Sequence, residues 1–357
     1  MTDIFPVKNV GIATSRDKFV LDFIRENLLR RINMFRSISI LDNTIRQKFN
    51  LNDKQGWNLK RAREKLSNDQ DWEKSFYRCL YRPFDIRWIY YHDTVIERSR
   101  KEVMRHMMQE NFGLLLTRTQ SSKLGFSIGV GVSREMIDQC VVGNKSAGSG
   151  MSYVFPLYCY SDEAKLSNAE SPKPERTPNF TPEFLQAIKE ALGTEPAPEE
   201  IFYYIYAVLY SPTYRKRYEE FLKIDFPRVP LPLDLEQFKN LSELGKELVE
   251  LHLLKHPSLS KTEIGFPVSG SNTVQTVRYD EENRRVYFNK EQYFEGVSKA
   301  VWEYQIGGYQ VMAKYLKDRK KRELSLDELE HYMKVAKAIE RTIEVQGEVD
   351  EVFRQGK

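Results

Sequence analysis

Cysteine is scarce in this chain. Three thiols in 357 residues, Cys79, Cys140 and Cys159, form no CxxC pair, so neither a zinc knuckle nor a disulfide framework is indicated and all three read as free. Long apolar runs are missing as well: none approaches the about 18 residues of a membrane span. Asp3, Lys8, Arg16, Asp17 and Lys18 break up the apolar core that a secretory signal needs, so a cytoplasmic protein is expected. Charge of one sign is not in excess, with 55 Lys and Arg against 51 Asp and Glu for a formal +4. Total charge therefore does not announce a nucleic-acid binder, and clustering has to carry that argument.

Motifs for chemistry are equally sparse. The nearest approach to GxxxxGK[ST], at residues 143–149, lacks the lysine after its second glycine that the motif uses to reach phosphates, and Gly129 with Gly131 falls one glycine short of a dinucleotide fingerprint. His252 and His256 stand four apart on an expected helix, but no glutamate follows His252 and no third ligand is apparent. Asp162, Glu163 and Lys165 imitate the tail of a PD-(D/E)xK nuclease, yet they lie in a polar linker where such a carboxylate would lack a rigid strand.

What is present is a globular composition, 41% hydrophobic with 20 Tyr and 20 Phe, beside 30% charged residues and a mean hydropathy of -0.57. Periodicity predicts a helix over 19–35 with Ser15 or Asp17 as N-cap, then a charged helix over 59–79 that stops before Pro83. Between 84 and 160 the segments DIRWIYYH, NFGLLLTRTQ, FSIGVGVS, DQCVVGNK and MSYVFPLYCY read as strands, with RSRKEVMRHMMQ as an interposed helix. Residues 161–179 are polar and proline-rich, a linker or surface loop. TPEFLQAIKEALG, capped at Thr181, and the nearly all-apolar PEEIFYYIYAVLYS predict two helices, the second buried. IDFPRVPLP reads as an extended connector. A helix over 234–256, a hairpin near 274–289 and helices over 301–320 and 324–345 complete the chain.

The fold class expected is α+β, with a central, mostly antiparallel curved sheet region flanked by N- and C-terminal helices, in the manner of a target-recognition domain. The expected division is 1–80 mainly helical, 81–160 strand-rich and recognising, 161–180 linker, and 181–357 helical.

The string YRPFDIRWIYYH at residues 81–92, followed by RSRKEVMRHM, resembles the C-terminal specificity domain of type ISP restriction-modification enzymes. DIFPVKNVGIATSRDKFVLDF, GNKSAGSGMSYVFPLYCY, IFYYIYAVLYSPTYRKRYEEFLKIDFPRVPLP and QYFEGVSKAVWEYQIGGYQVMAKYLKDRK resemble the same family in the same order, so the resemblance covers nearly the whole chain. It implies a polypeptide in which a nuclease, a helicase-like motor and an adenine N6-methyltransferase precede a domain that contacts the target bases. No F-x-G-x-G loop for S-adenosylmethionine and no N-P-P-Y tetrad occurs here, so the resemblance supplies recognition but not methyl transfer. On this reading the chain has no catalytic residue, metal or cofactor of its own, and S-adenosylmethionine belongs to the associated methyltransferase. Met1 is expected to fall just after the methyltransferase would end. The expected partners are duplex DNA and the methyltransferase, helicase and nuclease domains of a parent or partner protein, with no membrane involved.

Three clusters carry the chemistry that DNA demands, arginine for guanine, Asn or Gln for adenine, and Lys, Arg or Ser for phosphate. Arg98, Lys101 and Arg105, with Arg100, recur at helical spacing and would present a positive stripe to a backbone, or else form a solvated helix face. Arg118, Gln120, Ser121 and Lys123, with Ser122 for phosphate, follow an apolar strand into a loop and are the favoured base readers; an ordinary polar turn is the alternative. Asn144, between glycines, would reach an adenine while Lys145 and Ser146 meet phosphate, or the segment is simply a flexible loop. Arg82, Asp85 and Arg87 read as a structural ion-pair network, Tyr90, Tyr91 and Tyr153 as core, and Arg278, Arg284 and Arg285 as solvated. The function expected is sequence-specific recognition of duplex DNA that positions a methyltransferase and nuclease located elsewhere. The rival is a protein-interaction module that docks a separately encoded methyltransferase through a helical face including IFYYIYAVLY and binds DNA weakly.

Overall fold

The computed structural model describes residues 1–54, 56–119, 129–143, 150–161 and 175–355. Strand β1 (Asn9–Val10) leads to a single helical turn, α1 (Asp17–Val20), and then to β2 (Leu21–Asp22). The helix expected across 19–35 is thus interrupted: Leu21 and Asp22 pair with Ile89 and Trp88, and the Asp22 carboxylate accepts from the Ile24 N–H (3.0 Å) as helix α2 (Arg25–Arg36) begins. Neither Ser15 nor Asp17 caps α1; Arg16 occupies the N-cap and Ser15 has φ 54°. Helices α3 (Asp42–Phe49) and α4 (Leu59–Ser67) follow.

The helix expected through Cys79 ends at Ser67, because FYRCLYR is held as a strand by the hairpin segment just beyond it and by the distant Met136–Ile137. It forms β3 (Phe76–Arg82), antiparallel to β4 (Asp85–Tyr90). The interposed helix α5 is shorter than expected, Lys101–Met107. Strands β5 (Gly113–Thr117), β6 (Val130–Ser133), β7 (Met136–Ile137), β8 (Ser152–Pro156), β9 (Tyr158–Tyr160) and β10 (Arg176–Pro178) come next. DQCVVGNK is not a strand where it is described: Asp138 turns the chain by accepting from the Cys140 N–H (2.9 Å).

The strand-rich region divides between two four-stranded sheets, β1-β8-β5-β6, wholly antiparallel, and β2-β4-β3-β7, in which β3 and β7 run parallel. The first sheet lies between two apolar cores. Leu115 and Val154 point into one, with the N-terminal helices and second sheet; Leu114, Leu116 and Phe155 point into the other. Burial on both faces explains why GLLLT shows no apolar–polar alternation.

Helix α6 (Pro182–Leu192) starts as its residues dictate, with Thr181 accepting from the Phe184 N–H and Gly193 left-handed at its end. Helix α7 (Pro198–Tyr210) is buried at Ile201, Phe202 and every position from 204 to 210. Short helices α8 (Pro212–Arg217) and α9 (Glu219–Leu222) precede the extended connector, and α10 (Leu235–His252), capped by Asp234, packs along α7. The late hairpin gains a third strand: β11 (Arg278–Asp280), β12 (Arg285–Tyr287) and β13 (Tyr293–Glu295). The helix expected over 301–320 is split into α11 (Lys299–Glu303) and α12 (Val311–Lys317) by a two-residue hairpin, β14 (Gln305–Ile306) and β15 (Tyr309–Gln310), whose turn is Gly307-Gly308, both at positive φ. Helix α13 (Leu326–Gln355) closes the chain.

His252 spends both ring nitrogens on structure. Thr342 Oγ1 already donates to the Ala338 carbonyl (2.7 Å), so it accepts from His252 Nε2–H (3.0 Å), while Nδ1 accepts from the Tyr206 hydroxyl (2.6 Å). The neutral Nε2–H tautomer follows. Enclosure among Tyr206, Tyr210 and Phe84 and the nearby Arg215 charge press its pKa down to about 3. Between that value and an unfolded pKa of about 6.5 the unfolded chain binds the extra proton, so stability falls as pH falls through this window. His252→Gln is expected to abolish about 1–2 kcal/mol of the loss between pH 7 and 5, read by urea unfolding at the two pH values.

Candidate nucleic-acid interface

Strand β5 ends at Thr117, opposite Ser152 of β8. On its other side the Thr117 N–H donates to the Gly129 carbonyl (3.1 Å), and the Val142 N–H is held by Ser152 Oγ (3.0 Å). Gly129, Gly143 and Gly150 therefore gather with Thr117 at one end of this sheet. The β14–β15 turn is pressed against that end: a Cβ on Gly307 would stand 1.8 Å from the Val142 carbonyl oxygen, and φ at Gly307 is +56°. Only glycine fits there.

Of the base-reading candidates, Arg118 is described. It is 60% exposed immediately beyond β5, and its Nε donates to Asp225 Oδ1 (2.9 Å). Gln120, Ser121, Lys123 and Asn144, and the phosphate candidates Ser122, Lys145 and Ser146, lie outside the described residues, as do Asp162, Glu163 and Lys165 of the nuclease-like string.

The helical stripe is not formed as expected. Helix α5 begins only at Lys101, and Arg98 lies in an extended stretch bridged to Ala13, its side chain exposed. Arg100 is the left-handed N-cap (φ 59°) with its Nε buried. Lys101 is paired with Asp93, and Arg105 is half-buried with its charge near Cys159. The reason is local. A left-handed residue at 100 reorients the chain, so spacing counted across it does not describe one face. Arg98 and Lys101 are the exposed members, the latter already paired with Asp93, and Arg100 is the sequestered one.

The residues read as structural fall only in part as expected, and Arg285, expected to be solvated, pairs with Glu295 (3.7 Å) over the Tyr293 ring. Asp85 is buried between Arg87 (2.6 Å) and Arg319 (2.8 Å), while Arg82 pairs separately with Asp138 (2.8 Å). Tyr90 and Tyr91 are buried and Tyr153 packs edge-on against Phe226.

The sequence matches the family model of the Type ISP C-terminal specificity domain over residues 3–348. The chain belongs to this family. Solved structures similar to this specificity domain include a DrdV–DNA complex (19% identity, TM-score 0.73, 97% of this chain and 36% of that one). Two Type ISP restriction-modification enzymes are similar at 21% identity and 97% coverage of this chain: a nuclease-deletion mutant of LlaGI in complex with a DNA substrate mimic (TM-score 0.68, 28% of that chain) and the ATP-dependent LlaBIII bound to DNA (TM-score 0.71, 23% of that chain). At these identities the likeness is one of fold. The specificity domain spans between 23% and 36% of those longer chains. No curated protein matches it. Among its described residues no helix is long and apolar enough to cross a membrane.

Sequence reading missed two residues of this specificity domain. Asp225 sits in a proline-rich connector, 107 positions from the arginine it holds, and no local pattern marks it. Gly307 lies within an apparently continuous helical period, where the Gly307-Gly308 pair itself was the available signal.

Proposed function

We propose that this specificity domain reads the sequence of duplex DNA for an adenine N6-methyltransferase and a nuclease located elsewhere, and contributes no catalytic group itself. S-adenosylmethionine would be bound by the methyltransferase. The observation that carries this reading is the gathering of Thr117, Gly129, Gly143 and Gly150 at one sheet end, with Arg118 exposed beside them. Recognition by loops needs a stiff platform, and a sheet buried on both faces provides one. Register would come from phosphate contacts at Arg98, specificity from base edges at Arg118.

The test compares two variants on a sequence-selected duplex. Arg118→Ala is expected to relax preference at one base pair, by roughly 1–3 kcal/mol of discrimination, with the salt slope little changed. Arg98→Ala should weaken binding to every duplex and reduce the salt slope by about 0.9. Normal discrimination and binding in both would refute this assignment of the surface.

A second reading, docking of a separately encoded methyltransferase, has one observation in its favour. Helix α7 is used up inside the fold and offers no docking face, but Phe221 and Ile224 are 70% and 72% exposed. A chain that selects no sequence yet binds a methyltransferase through these two side chains would establish it.

A further inference from the structure

We infer that Asp225 is a specificity-determining positioning residue, which fixes Arg118 so that its terminal fork is offered to a guanine; the inference rests on the DNA-reading function proposed above. The pair joins two anchored points. Arg118 follows Thr117, the last residue of β5, held opposite Ser152. Asp225 precedes Phe226, whose ring packs edge-on against Tyr153 (4.9 Å) and Phe155 (5.5 Å) of the neighbouring strand β8. The Asp225 N–H also donates to the Phe221 carbonyl (3.2 Å). The carboxylate is thus set by the sheet and the adjoining helical turn, although it is itself 57% exposed.

A guanidinium has five N–H donors in a rigid plane, one on Nε and two on each Nη. Asp225 takes the Nε donor at 2.9 Å, which leaves the outer edge of the guanidinium, with one N–H from each Nη, uncommitted to the carboxylate. Guanine presents two acceptors, N7 and O6, to such a fork. Adenine presents N7 beside an amino donor, which the fork meets donor to donor. Holding Nε also removes rotamer freedom from a long side chain before DNA arrives, so less is lost on binding. A carboxylate beside DNA repels phosphate, which makes the residue a poor device for affinity and a good one for selectivity.

The experiment uses the whole chain and duplexes carrying its selected sequence, with each of the four base pairs placed at the position where Arg118→Ala loses preference. Competition binding of wild type, Asp225→Asn, Arg118→Ala and the double variant forms a cycle. Asp225→Asn is expected to lower the preference for guanine about tenfold at that position alone. Affinity for an unrelated duplex should stay level or rise, and the double variant should discriminate no worse than Arg118→Ala. Full guanine preference in Asp225→Asn, or an equal change for all duplexes, would overturn the inference while leaving the DNA-reading function intact. A wild-type chain that selects no sequence would remove both, whereas an Arg118→Ala variant that loses no guanine would remove the inference alone.

Discussion

Replacing Gly245 with valine is expected to destabilise the fold by about 3 kcal/mol or more, and with alanine by about 2 kcal/mol. Gly245 lies mid-way along α10 where that helix crosses α7, and a Cβ there would stand 1.9 Å from the Tyr203 carbonyl oxygen and 2.6 Å from its carbon. Both neighbours are helix backbone, which cannot turn aside as a side chain would. Helix propensity argues the opposite sign, since alanine is favoured over glycine inside a helix by about 1 kcal/mol. The two effects are therefore separable in one measurement. A lowered urea midpoint with unchanged m for Gly245→Ala supports the close crossing, whereas a raised midpoint would mean that the helices pack further apart.

Asp85→Asn is expected to cost about 3–5 kcal/mol, because it leaves two buried guanidiniums facing an amide. Asp85 is 1% exposed and holds Arg87 and Arg319, the latter 234 residues away and also paired with Glu328 (3.1 Å). Phe23 is faced by Arg87 (4.2 Å), Arg319 (4.6 Å) and Arg322 (3.8 Å), so the same charges also pack an aromatic ring. Burial alone would raise the Asp85 carboxyl, but the Arg319 and Arg87 charges outweigh it and hold its pKa below the ordinary range. The stability it contributes is present above the unfolded value of about 3.9 and is lost as pH falls through the lower folded value. Wild type and Asp85→Asn should accordingly converge in acid and differ most near neutrality. A variant as stable as wild type at pH 7 would show that this network is dispensable.

Where local chemistry decides, the sequence reads true: Thr181, Pro182 and Gly193 bound α6, and an apolar circumference buries α7. It misleads where a distant partner decides. FYRCLYR has a helix-compatible charged prelude and becomes a strand between its hairpin neighbour β4 and the distant β7; Leu21 and Asp22 leave a helical period because the distant β4 pairs with them. The proposed recognition surface behaves alike. Arg118 is legible because it ends an apolar strand, whereas Asp225 is not, since its role is fixed by Phe226 packing on another strand. The stripe of Arg98, Lys101 and Arg105 fails at one left-handed residue that spacing cannot reveal.

The central claim, that this specificity domain itself reads DNA sequence, is tested most directly by incubating the purified chain with a randomised duplex pool at low salt and sequencing what it retains. The account predicts an enriched motif containing a guanine whose enrichment vanishes with Arg118→Ala. A folded chain that retains DNA without enriching any sequence, or retains none, would contradict it.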